Sequence, residues 1–130
     1  MDFLLLNGSE DNFFKDFLAA VLAPFGTLRV ARATEAFPAG SLEPDGLILI
    51  DATVVEEAER LVARLRHERP ARRIVVLTAS PTWQRARAAF EAGALDYLPK
   101  ALPVEELREA FQQALQNPLP RFDDAQPRSE

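Results

Sequence analysis

Four consecutive branched apolar residues, Leu47-Ile48-Leu49-Ile50, stand between a turn-forming Pro44-Asp45-Gly46 and Asp51. An apolar run with no polar alternation reads as a strand buried on both faces, which leaves Asp51 at its carboxyl end. Phe3-Leu4-Leu5-Leu6, ended by Asn7-Gly8-Ser9, and Ile74-Val75-Val76-Leu77, ended by Thr78, repeat that pattern. Thr27 to Ala31 reads as a further strand, at an edge because of Arg29 and Arg32, and Leu95 to Leu98 as a short last one.

Between these runs the apolar period changes from continuous to helical. Phe13, Phe14, Phe17, Leu18, Val21 and Leu22 form a stripe that Pro24-Phe25-Gly26 stops, with Ser9 as the expected cap. Val54, Ala58, Leu61, Val62 and Leu65 form another, ending at Arg69-Pro70. Ser80-Pro81 is expected to cap and open a helix whose apolar face is Trp83, Ala86, Ala89 and Phe90, with Gly93 as its stop. Pro103, Glu105 and Glu106 open the last helix, carrying Val104, Leu107, Phe111, Ala114 and Leu115. Thr34 to Glu43, with Pro38 and Gly40, predicts only a short or irregular helix. Strand followed by helix, five times over, predicts a doubly wound α/β domain: five parallel strands in order 2-1-3-4-5, two helices on one face and three on the other. The domain is expected to span residues 1–116. Residues 117–130, rich in Pro, Asp, Gln and Arg, read as a flexible tail or linker.

Composition narrows the function. A length of 130 residues with 48% hydrophobic content suits one core-forming domain. A net charge of −5 argues against direct nucleic-acid binding or an anionic membrane surface. The absence of cysteine and the single His67 exclude thiolate and His-rich metal sites and leave little room for a His-based triad. No apolar run approaches the roughly 20 residues of a membrane span, and Asp2 stands where a signal peptide is basic, so a cytoplasmic protein is expected. His67 reads as a helix-end surface residue, and Trp83 as packed against the last strand or helix.

Asp51, Thr78 and Lys100 each fall at or just beyond a strand end and are expected to converge on one end of the sheet. Singly they read as a turn cap, a β-branched strand residue and a solvated charge, and Tyr97 as a core aromatic. Together, a carboxylate, a hydroxyl and an ammonium suit an acyl phosphate: nucleophile, donor to a phosphoryl oxygen, and neutralising charge. The segments Ile74-Val75-Val76-Leu77-Thr78-Ala79 and Ala92-Gly93-Ala94-Leu95-Asp96-Tyr97-Leu98-Pro99-Lys100 resemble a receiver domain of the response-regulator family, the flavodoxin-like, chemotaxis-regulator-like partner of sensor histidine kinases in two-component signalling. The resemblance covers about residues 2 to 116. It implies Asp51 as phosphoacceptor, Thr78 as switch hydroxyl, Tyr97 as switch aromatic, Lys100 as the phosphoryl-stabilising lysine, and the main-chain carbonyl of Thr53 as a ligand for Mg²⁺.

The chain departs from that pattern in three places. Where the family carries an acidic pair after its first strand, this chain has Asn7 and Gly8, so Mg²⁺, which favours carboxylate oxygens, is expected to bind weakly. The loop after Asp51 reads Ala52-Thr53-Val54-Val55-Glu56, without the family's proline and glycine. Ala101 replaces the proline that follows the lysine; a non-proline cis bond costs about 3–4 kcal/mol, which predicts a trans peptide, a different loop path and a lysine free to point elsewhere. The resulting expectation is a non-enzymatic, atypical receiver that binds a histidine kinase or another signalling protein, or a second copy of itself, through the 83–115 face. A fully competent phosphoacceptor is the alternative. A flavin-binding electron carrier on the same fold is a distant third, because Asn7 to Asn12 offers too few donors for a phosphate cradle.

Overall fold

The computed structural model describes residues 2–6, 12–31, 47–52, 58–68 and 72–116. In chain order these form β1 (Asp2–Leu6), α1 (Asn12–Leu22), β2 (Thr27–Ala31), β3 (Leu47–Asp51), α2 (Ala58–Glu68), β4 (Arg73–Thr78), α3 (Trp83–Ala92), β5 (Asp96–Pro99) and α4 (Val104–Gln116). All five strands are parallel, in the order β2-β1-β3-β4-β5. The expected irregular helix within Thr34–Glu43, the Val54 turn, the Ser9 cap and the tail at 117–130 lie outside the described residues.

Because side chains alternate across a strand, each apolar run divides between two cores. Phe3, Leu5, Leu47, Leu49, Val75 and Leu77 face α1 and α4, packing with Leu18, Leu22, Leu107 and Phe111. Leu4, Leu6, Ile48, Ile50, Ile74 and Val76 face α2 and α3, packing with Val62, Leu65 and Ala89. Burying each such leucine or isoleucine contributes about 1.5–3 kcal/mol, so burial on both faces makes the central strands the most committed part of the fold. The registers Leu49↔Val75 and Asp51↔Leu77 then bring β3 and β4 to the same end of the sheet.

Several local expectations are corrected. The N-cap of α3 is Thr82, not Ser80: its backbone is extended (φ −135°, ψ 154°) and its Oγ1 accepts the Arg85 N–H at 3.2 Å. Ser80 instead donates its own N–H to Thr78 Oγ1, 3.1 Å away, so Ser80-Pro81 belongs to the turn. Trp83 does not pack on the last strand or helix; it is 68% exposed and Phe90 47%. Small alanines are what α3 sets against the sheet, with Ala89 buried, and the two large rings, seven residues apart on one helical face, are left to solvent. Phe13 is likewise exposed, while Phe14 and Phe17 stack and pack inward. The last strand runs one residue later than expected. Gly93 does close α3, in the left-handed conformation at φ 120°, donating its N–H to the carbonyls of Ala89 and Phe90.

Candidate functional site

The end of β4 organises the carboxyl end of the sheet. The Leu77 carbonyl accepts the Ala52 N–H at 2.7 Å, and the Thr78 carbonyl accepts the Lys100 N–H at 2.8 Å. The segments that leave β3 and β5 are thereby tied to one point, and Asp51 and Lys100 are brought together from opposite sides of it. The Lys100 ammonium donates to both carboxylate oxygens of Asp51, 2.7 Å from Oδ1 and 2.8 Å from Oδ2. Asp51 is 2% exposed, so its charge has little water to solvate it, and a close ammonium offsets much of that cost.

Lys100 is held from a second direction. Its Nζ sits 4.1 Å from the centroid of the Phe14 ring, within cation–π range. The ring comes from α1, so the ammonium is gripped between the first helix and the third strand. The Lys100 side chain keeps 19% of its surface exposed. No cis peptide occurs among the described residues, and the lysine nevertheless meets Asp51 rather than pointing elsewhere, because the Thr78 carbonyl fixes the main chain at Lys100.

Alternation along β4 sends Thr78 to the other face from Leu77, toward α3. Thr78 is buried and its Oγ1 accepts the Ser80 N–H, which leaves the hydroxyl hydrogen as an unused donor among the described residues. Tyr97 pairs in register with Val76 and packs its ring against the α2–α3 core; its hydroxyl oxygen is buried and has no hydrogen-bond partner among the described residues. The sheet thus brings Asp51, Lys100 and Thr78 to one end and turns Tyr97 inward beside them. Asn7, Gly8 and Thr53 lie outside the described residues. Among the described residues no three His, Cys, Asp or Glu side chains come together as a metal site. None of the described helices is long and apolar enough to cross a membrane.

Two residues near this end went unnoticed in the sequence. Phe14 looked like one more member of a core stripe, and Arg85, which with Thr78, Ser80, Thr82 and Ala52 lines a cleft beside the site, was not singled out at all. A helical stripe reports which side faces inward and says nothing about which cation it meets.

No model of a known protein family matches the chain. It is 36% identical over 75 residues to the DNA-binding transcriptional regulator NtrC of Azospirillum brasilense, a match covering 57% of this chain and 16% of that regulator. The chain therefore spans only a small part of the length of that relative. Among solved structures it resembles the signal receiver domain of an HD domain-containing protein from Pseudomonas fluorescens, at a TM-score of 0.73 and 30% identity, covering 88% of this chain and 86% of that one. A response regulator from Thermotoga maritima matches at a TM-score of 0.68 and 25% identity, over 89% of this chain and 98% of that one. With 30% identity to a receiver domain over most of both chains and a shared five-stranded parallel fold, the chain belongs to the receiver-domain family of two-component response regulators.

Proposed function

We propose that the chain is an atypical receiver: a non-enzymatic protein-interaction module in phosphorelay signalling whose Asp51 is phosphorylated weakly or not at all with Mg²⁺. The observation that carries this reading is the Lys100 ammonium on both oxygens of Asp51 at 2.7 and 2.8 Å. That contact supplies one positive charge at the place where a bound dication would bring two, enough to balance the single carboxylate of Asp51. With neutral Asn7 and Gly8 after β1, Asp51 is the single carboxylate among the residues expected to hold the metal, a poor donor set for a cation that favours several oxygen ligands.

The partner is a sensor histidine kinase or another signalling protein. The exposed rings of Trp83 and Phe90 on α3 support docking at the face formed by α3, β5 and α4. DNA binding, which the name of the Azospirillum relative states for that much longer protein, is not proposed for this domain.

A competent phosphoacceptor is favoured by one specific observation, the unused Thr78 hydroxyl hydrogen at the same end of the sheet as Asp51. In that reading an Asp51 oxygen forms a bond to phosphorus as the donor's bond to phosphorus breaks, and Lys100 and Thr78 stabilise the transferred oxygens. Acetyl phosphate with Mg²⁺, read by intact mass, separates the two. We expect little phosphoryl adduct on the unmodified chain under conditions that label an Asn7→Asp, Gly8→Asp variant. Rapid, near-complete labelling of the unmodified chain that disappears in Asp51→Asn would favour the competent receiver.

A further inference from the structure

Lys100 is fixed at both ends. Its main-chain N–H donates to the Thr78 carbonyl at 2.8 Å, and its ammonium lies 2.7 Å from Oδ1 and 2.8 Å from Oδ2 of Asp51 and 4.1 Å from the centroid of the Phe14 ring. The carboxylate and the ring act differently on it. Contact with both carboxylate oxygens offsets the charge but leaves the ammonium able to swing about them on a flexible four-carbon stem. A ring on another side limits that swing, and its electron-rich face attracts the cation it covers.

The apolar stripe of α1 shows what the ring adds. Leu18, Val21 and Leu22 are aliphatic and fully buried, whereas Phe14 and Phe17, stacked with centroids 6.3 Å apart and planes at 24°, are partly buried at the edge of the same core. An aliphatic side chain at position 14 would fill that edge as well. Beside the ammonium, however, it would displace water and return no attraction, and the Lys100 side chain keeps only 19% of its surface exposed.

We propose that Phe14 is a positioning residue for Lys100: its ring face holds the ammonium against the Asp51 carboxylate through a cation–π contact, so that α1 sets how firmly Lys100 occupies Asp51. The positioning role itself does not depend on the receiver reading. Its consequence rests on that reading, in which Lys100 keeps Mg²⁺ from Asp51 and Phe14 strengthens the exclusion.

The test uses the full chain without metal, in which Lys15 and Lys100 are the only lysines and Lys15 serves as the internal reference. Protons over an aromatic face are shielded, so the Lys100 ε-methylene NMR signal should lie upfield of its position in the denatured chain and move downfield in Phe14→Leu. Reductive methylation needs an amine released from its partners. Read by peptide mass, it should modify Lys100 about fivefold faster in Phe14→Leu, with the Lys15 rate unchanged. Phe14→Trp should keep the slow rate. Fluorinated phenylalanines at position 14 withdraw electron density from the ring face with little change of shape, and the Lys100 rate should rise with each added fluorine; packing alone predicts a flat series. An unshielded Lys100 methylene, equal Lys100 rates in the unmodified chain and Phe14→Leu, or a flat fluorine series would overturn the proposal. Calorimetric titration of Phe14→Leu with Mg²⁺ then separates the positioning role from the receiver reading. Tighter Mg²⁺ binding than in the unmodified chain supports both, while a loosened Lys100 with unchanged Mg²⁺ binding upholds the positioning role and counts against metal exclusion by Lys100.

Discussion

Where the strands begin, arginines end on main-chain carbonyls; where they finish, a lysine ends on a carboxylate. At the first end Arg66 donates to the carbonyls of Arg72 and Gly93 at 2.7 and 2.8 Å, Arg73 to that of Ala114 at 2.9 Å, and Arg108 to those of Val21 and Ala20 at 3.0 and 3.2 Å. Gly93, Ala114 and Val21 lie at or near the carboxyl ends of α3, α4 and α1, where carbonyls lack intrahelical partners and the helix dipole favours cations. These bonds fasten helix ends to the sheet and to each other. Their acceptors are neutral and fixed in charge, so nothing in ordinary chemistry switches them. At the other end, Lys100 meets Asp51, whose charge and shape change if anything is attached to it. The chain has 15 basic residues, only Lys15 and Lys100 of them lysine, and it sets a compact ammonium against the Asp51 carboxylate and branched guanidinium groups against main-chain carbonyls.

The sharpest way to break this contrast is Arg66→Ala. Its side chain is 3% exposed and burial lowers its pKa, though a guanidinium stays charged at any ordinary pH. Removing it strands two carbonyls, and we expect a loss of about 3 kcal/mol in denaturant unfolding, with the response of the remaining folded protein to Mg²⁺ unchanged. Lys100→Ala leaves Asp51 buried without its ammonium. A loss of about 2 kcal/mol is expected, less than for a fully buried pair because Lys100 is partly exposed, together with a gain in cation binding that Arg66→Ala does not show. Tyr97→Phe should act in the opposite direction, stabilising by up to about 1 kcal/mol because it removes a buried hydroxyl without a partner. Arg87→Ala breaks only an exposed pair on α3, with side chains 70% and 66% accessible, and its effect in the same melts should stay below about 0.5 kcal/mol.

Much of this was readable from the chain. Two four-residue apolar runs, at Leu47–Ile50 and Ile74–Leu77, have no solution but strands covered on both faces, and alternation with helical stripes then dictates a parallel sheet. Asp51 and Thr78 could be located because each is the first polar residue after such a run, and Lys100 because it follows the last, shorter strand. Other features depend on tertiary contacts that no periodicity encodes. Trp83 and Phe90 match an inward-facing helical pattern, yet α3 seats its alanines on the sheet and leaves the rings outside. Ser80-Pro81 is as good a cap signal as Thr82, and only the reach of Thr82 Oγ1 to the Arg85 N–H decides between them. Nothing in the sequence marks Arg66, in the last turn of α2, as buried; its burial depends on where the start of β4 and the Gly93 turn present their carbonyls. The grip of Phe14 on Lys100 joins residues far apart in the chain and left no local trace.

The most direct test of the idea that Lys100 stands in for the charge of a bound metal is calorimetric titration of the unmodified chain with Mg²⁺, beside the Asn7→Asp, Gly8→Asp variant. With Asp51 already satisfied by an ammonium and two neutral residues after β1, the unmodified chain should give no saturable heat below millimolar Mg²⁺, while the variant binds and loses stability when metal is withheld. Sub-millimolar binding by the unmodified chain would contradict this and make the competent phosphoacceptor the better description.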